Sequence, residues 1–139
     1  MERFTNQAQL RYGNAIANSN IAVGEILEVL SATKTAVRKN YGRNDTITYL
    51  VSVVNAGNTA FTGLTLTDNL GAYVYDTQTL VPLRYIDGTV KYYSNGTLQA
   101  APAVTAGPPL VISGLTVPAN GSILIAYETD VNEYAPLDV

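Results

Sequence analysis

The amino-acid sequence predicts an all-β sandwich, and three observations carry that expectation. Short segments rich in β-branched and aromatic residues alternate apolar with polar side chains, clusters of Gly, Pro, Asn and Asp separate them at regular spacing, and helical periodicity is nearly absent. Repeated strands without alternating helices favour packed sheets over an α/β arrangement.

Near the start, "FTNQAQLRY" read with a period of two puts Phe4, Asn6, Ala8, Leu10 and Tyr12 on one face. The following "GEILEVLSATKTAV" can be read two ways. As a helix it carries Ile26, Val29, Leu30 and Val37 on one side; as a strand, "LSATKTAV" aligns Leu30, Ala32, Lys34 and Ala36. "DTITYLVSVV" reads as a central strand with Ile47, Tyr49, Val51 and Val53 facing inward. "NAGN" turns the chain into "FTGLTLTD", whose stripe of Leu64, Leu66 and Asp68 continues to Leu70. Asp87-Gly88 and Asn95-Gly96 flank "VKYY" and predict one or two hairpins. "AGPP" precedes the strand "LVISGLTV", and "PANG" precedes "SILIAYETDV", with Ile123, Ile125, Tyr127 and Val131 inside.

Composition narrows the function. With 139 residues, 47% of them hydrophobic and 14% charged, the chain is long enough and apolar enough for one domain with a real core. Eight Lys and Arg against eleven Asp and Glu give a net charge of -3, which offers no basic surface for nucleic acid or an anionic membrane. The absence of His and Cys removes His-dependent triads, Cys nucleophiles, the usual zinc ligands and disulfides. No Asp-x-Asp-x-Asp-Gly calcium loop or Gly-rich phosphate cradle is present, so no cofactor is expected. "MERFTNQAQL" does not read as a secretion signal, and no apolar run reaches the ~18 residues of a spanning helix.

Three polar residues interrupt apolar stripes: Asn6, Lys34 and Asp68. Burying an amide, an ammonium and a carboxyl separately costs several kcal/mol each, so either the stripes are misread or the three groups meet. Each also has a local explanation. Lys34 can extend its ammonium past a strand end, Asp68 can cap the "TDNLG" turn, and Asn6 can bond frayed backbone. Glu128 is an alternate acid, though parity places it on the outer face, and Lys39 is a weaker nucleophile in the exposed run "RKNYGRND". The ten tyrosines, Tyr92 and Tyr93 among them, read first as strand residues rather than a carbohydrate platform. Asn-Gly-Thr and Asn-Gly-Ser triplets serve first as turns.

The run "DTITYLVSVVNAGNTAFTGLTLTDNLG", with "LSATKTA" before it and "YIDGTVKYYSNG" and "VPANGSILIAYETDVNEYAPL" after it, resembles a conserved bacterial surface-protein repeat of unknown function. The resemblance covers about Leu30 to Leu137 and implies an Ig-like Greek-key β-sandwich similar to the A-type modules of collagen adhesins. In those modules a first-strand lysine and a last-strand asparagine join as an intramolecular isopeptide bond with a nearby acid assisting, which implies roles for Lys34, Asn6 and Asp68 here. The chemistry needs burial: apolar surroundings favour a neutral amine able to attack and a protonated acid able to polarise the amide.

The chain departs from the repeat at its end. The final strands should follow "APL", yet "FTNQAQLRYGNAIANSNIAV", which looks like them, stands at the N-terminus. The expectation is therefore a sandwich with its last strands displaced, residues 1–29 forming a strand-donor segment and 30–139 the domain that needs it. Phe4, Ala8, Leu10 and Tyr12 form the donor face. The donor can fold back on its own chain or fill a neighbour. From Glu25 to Val37 no Gly, Pro, Asn or Asp signals a reversal over roughly 40 Å of extended chain, which favours the neighbour. Head-to-tail donation does not close, so the partner is another copy of the chain and the product a filament. The leading expectation is a structural subunit of an extracellular or spore-surface fibre. The alternative is an adhesive module from a longer surface protein, with an unspecified surface ligand. A self-crosslink would turn over once, so neither reading is an enzyme.

Overall fold

The computed structural model describes residues 6, 8–12, 15–18, 29–37 and 42–135. Among them the chain forms thirteen strands and no helix: β1 (Ala8–Tyr12), β2 (Ala15–Asn18), β3 (Leu30–Ala36), β4 (Thr46–Asn55), β5 (Phe61–Asp68), β6 (Tyr73–Tyr75), β7 (Gln78–Leu80), β8 (Leu83–Tyr85), β9 (Lys91–Ser94), β10 (Thr97–Leu98), β11 (Ala103–Thr105), β12 (Leu110–Val117) and β13 (Ser122–Val131). The all-β sandwich is the fold. Over its described part, "GEILEVLSATKTAV" is a strand rather than a helix; residues 24–28 lie outside the described residues.

The strands make two main antiparallel sheets. One has the order β11-β12-β5-β1-β2, the other β10-β9-β13-β4-β3 with β8 also on β13; β6 and β7 form a separate hairpin. One hydrophobic cluster joins both sheets, drawing Leu64, Leu66, Leu110, Ile112, Leu115 and Val117 from the first and Val51, Val53, Ile123 and Ile125 from the second. Alternation explains this directly. The strictly alternating burial of β4 and β13 places Ile47, Tyr49, Val51 and Val53 opposite the residues of β13 that also point inward, in continuous register from Thr46↔Asp130 to Val54↔Ser122. In β12 the alternation slips at Gly114, whose φ of 75° takes up a bulge and returns Leu115 and Val117 to the core.

The turns answer the hairpin expectation unevenly. Asn95 (φ 48°) and Gly96 (φ 83°) join β9 to β10 as a two-residue loop with both residues left-handed, the geometry that Asn-Gly favours. Asp87-Gly88 does not reverse the chain. β8 and β9 lie one after the other along the same edge of β13, β8 opposite residues 129–131 and β9 opposite 123–126, so Asp87-Gly88 sits in an interruption of one strand line. A Gly with positive φ serves a bulging connection as well as a hairpin, and only pairing with β13 separates the two. The hairpin of β6 and β7 turns at Asp76 and Thr77, both left-handed without glycine, and its sequence carries no such signal.

β1 lies between β5 and β2 in the sheet. It pairs with β5 from Ala8↔Asp68 to Arg11↔Thr65, and with β2 from Gln9↔Asn18 to Tyr12↔Ala15. Ala8 and Leu10 are each 1% exposed and belong to the central cluster. Of the other donor-face residues, Phe4 and the side chain of Tyr12 lie outside the described residues.

Candidate functional site

The site is assembled from four strands and one turn. On β3, the face that buries Leu30 and Ala32 next presents Lys34, whose side chain is 3% exposed. On β5, the face of Leu64 and Leu66 next presents Asp68, 1% exposed. Asn6 stands two residues before Ala8, and Ala8 pairs directly with Asp68. Tyr127 on β13 and Tyr49 on β4 are register partners in the opposite sheet and face the same space. Lys34 and Asp68 therefore come from different sheets and meet across the sandwich.

The three stripe-breaking residues are brought together. Lys34 Nζ lies 2.5 Å from Asp68 Oδ2, and Asn6 Nδ2 donates to the same oxygen at 3.3 Å. The amine nitrogen and the amide nitrogen are thus within two hydrogen-bond lengths of each other. The Tyr127 hydroxyl donates to Oδ2 as well. The other carboxylate oxygen, Oδ1, accepts the Leu70 backbone N–H at 2.8 Å. Asp68 therefore caps its own turn with one oxygen and collects the buried donors with the other. Lys34 does not extend past the strand end, and Asn6 bonds the turn rather than frayed backbone.

The "DNLG" turn is shaped for this. Leu70 (φ 58°) and Gly71 (φ 76°) are both left-handed, an arrangement that costs Leu70 backbone energy and suits Gly71. Successive N–H groups then face the site. Leu70 N–H goes to Asp68 Oδ1, while Gly71 N–H is shared between Asn69 Oδ1 at 2.9 Å and Asn6 Oδ1 at 3.2 Å. The orientation of the Asn6 amide follows: its NH₂ meets a carboxylate and its oxygen meets an N–H, whereas the flipped amide would oppose oxygen to oxygen.

Electrostatics favour a nucleophilic lysine. Burial holds the Lys34 ammonium below its ordinary pKa, and the charge and hydrogen bond of Asp68 only partly restore it. Lys34 Nζ sits 4.3 Å from the Tyr49 ring centroid and 5.9 Å from that of Tyr127, and the two rings are 5.9 Å apart. The Tyr127 phenol is pushed well above its ordinary pKa by burial, then by the charge and hydrogen bond of Asp68, so it remains a donor. Every buried side-chain nitrogen and oxygen among the described residues has a hydrogen-bond partner.

Asp68 contacts the amide nitrogen of Asn6, and the carbonyl oxygen faces Gly71 N–H. The reason is spatial: the left-handed turn after Asp68 carries the backbone donor to the oxygen side and leaves the carboxylate on the nitrogen side.

Tyr127 and Tyr49 were legible only as core residues. A buried tyrosine hydroxyl needs a partner, and the inward parity of Tyr127 and Asp68 was the available signal. Glu128 stands on the outward face of β13, as its parity predicts, and Lys39 lies outside the described residues. Tyr92 is buried and exchanges hydrogen bonds with the Thr116 backbone, a structural role rather than a binding platform. Comparison of the chain with family models, curated proteins and solved structures gives no match.

Proposed function

We propose that the chain is a structural subunit of a self-assembling extracellular or spore-surface fibre. The hairpin of β1 and β2 from one copy completes the sandwich of the next, and an isopeptide bond between Lys34 and Asn6 then locks the joint. The observation that carries this reading is the meeting of Lys34, Asn6 and Asp68, because Asn6 stands just before the N-terminal strand β1 and the other two belong to the body that strand completes.

The same slot accepts the hairpin from either source. Self-closure and donation make the same contacts, so the choice depends on the link and on concentration rather than on the interface. A short flexible link gives its own hairpin an effective concentration in roughly the millimolar range, while a link that carries the hairpin away removes that advantage. In the single chain β1 pairs with its own β5, the self-closed arrangement, and a donated joint repeats those contacts with a second copy. Without the hairpin, β5 would expose a sheet edge beside Leu64 and Leu66, a template for pairing with another chain.

The reaction follows from the cluster. The lone pair of Lys34 Nζ attacks Asn6 Cγ, the new C–N bond replaces the bond from Cγ to Nδ2, and ammonia leaves. A chain lacking residues 1–24 tests the assembly. The intact chain should form regular filaments in negative-stain micrographs and the truncated chain none. Regular fibres from the truncated chain, or a strictly monomeric intact chain at high concentration, refute donation.

A further inference from the structure

We infer that the Gly71 backbone N–H is the oxyanion donor of the isopeptide reaction, with Asn69 competing for it. The inference rests on the isopeptide reading above and deepens it, since the three crosslinking residues supply a nucleophile, an amide and an assisting acid but no oxyanion donor.

The atoms place each role. In the tetrahedral intermediate the negative charge develops on Asn6 Oδ1, and the group already donating to that oxygen is Gly71 N–H, at 3.2 Å. Its position is set by the left-handed turn, with φ 58° at Leu70 and 76° at Gly71. Asp68 Oδ2 contacts both the nucleophile and the leaving nitrogen, at 2.5 Å from Lys34 Nζ and 3.3 Å from Asn6 Nδ2. A single oxygen can therefore receive a proton from one nitrogen and deliver it to the other.

The proton count closes on this assignment. The ammonium of Lys34 gives one proton to the Asp68 carboxylate, and the neutral amine attacks Asn6 Cγ as the carbonyl electron pair moves onto Oδ1 beside Gly71 N–H. Asp68 passes its proton to Nδ2 and takes a second from the now cationic Nζ. The carbonyl re-forms, the bond from Cγ to Nδ2 breaks, ammonia leaves, and the last proton remains on Asp68. Lys34 begins with three protons and ends as a secondary amide with one. No outside acid, base or oxidant enters. Tyr127 keeps its proton and holds Oδ2 in place between the two nitrogens.

Asn69 supplies the test, because its Oδ1 shares the Gly71 N–H at 2.9 Å, closer than Asn6 does, from an exposed side chain. Asn69→Asp keeps the turn-forming acceptor but holds the N–H more strongly and puts negative charge beside the developing oxyanion. Asn69→Ala releases the N–H to Asn6. If Asn69 only shaped the turn, Asp would be tolerated and Ala would be harmful; the oxyanion role reverses that order.

The full-length chain is made by cell-free translation, quenched at intervals, and followed by intact mass for loss of one ammonia, with peptide mapping of the Lys34–Asn6 link. Asn69→Asp should slow linking about tenfold, part of the roughly 100- to 1,000-fold that losing a whole oxyanion donor costs. Asn69→Ala should link at least as fast as wild type. Equal rates for all three, or Ala slower than wild type, overturn the inference while leaving the isopeptide reading intact. A wild-type chain that never loses ammonia overturns both.

Discussion

Asp68→Ala is the perturbation that most directly measures the buried cluster. Asp68 is the acceptor for Lys34, Asn6, Tyr127 and the Leu70 N–H, so its loss strands a lysine whose side chain is 3% exposed. To keep covalent linkage from confusing the measurement, every protein in the series carries Asn6→Ala and cannot crosslink. An unpaired buried lysine can escape its charge by losing a proton. From its ordinary pKa down to pH 7 that costs about 4 to 5 kcal/mol, from ~3.4 units at ~1.36 kcal/mol each. This agrees with the roughly 3 to 5 kcal/mol found when one partner of a buried pair is removed. At pH 9 the same ceiling falls to about 2 kcal/mol, so the penalty of Asp68→Ala should shrink as pH rises. The paired change of Lys34→Met with Asp68→Ala removes the stranded charge and should recover most of the loss, leaving the turn and the Tyr127 hydroxyl unsatisfied at about 1 to 3 kcal/mol. Urea unfolding monitored by tyrosine fluorescence suits a chain with ten Tyr and no Trp. An Asp68→Ala penalty under about 1 kcal/mol at pH 7, or a double variant no more stable than the single one, would refute a cluster organised around a compensated buried charge.

Three further outcomes are expected. Wild-type protein boiled in detergent should give a ladder of multimers if Asn6 reaches the neighbour's Lys34, and a monomer lighter by one ammonia if the chain closes on itself; full-mass monomer from folded protein removes the crosslink. Lys34→Arg, which keeps the charge but not the nucleophile, should abolish the link in either case. The alkaline stability profile of unlinked Asn6→Ala protein has two parts. Lys34 is held low in the fold, so the unfolded chain binds the extra proton and stability rises with pH toward 10.5; Tyr127 is held high, so the folded chain keeps a proton the unfolded chain loses and stability falls above about 10. Lys34→Met should flatten the rise and Tyr127→Phe the fall in urea midpoints between pH 7 and 11, and an unchanged profile in both variants would reject these assignments.

Much of the fold was legible because burial in a strand follows a local period. The inner faces of β4 and β13 can be read from single segments, since each side chain's face is fixed by the pleat two residues at a time. The same rule singled out Asn6, Lys34 and Asp68, which occupy apolar positions but carry polar groups. Asn95-Gly96 was readable because few residues tolerate two consecutive left-handed positions. Asp87-Gly88 was not, because the same backbone freedom serves both a hairpin and an interruption along β13.

The sequence alone determined the strand periodicity, the apolar parity of Asn6, Lys34 and Asp68 and the want of His and Cys chemistry, all of which are properties of a residue and its near neighbours. Tertiary structure decided which polar atoms face one another. Lys34 and Asp68 are brought together by the packing of two sheets, Tyr127 reaches Asp68 from the far layer, and the turn at Leu70 and Gly71 sets a backbone N–H on the oxygen of Asn6. Parity assigns a side chain to a face; only the apposition of two faces, and the left-handed turn at the end of one strand, gives that side chain its partners and hence its chemistry.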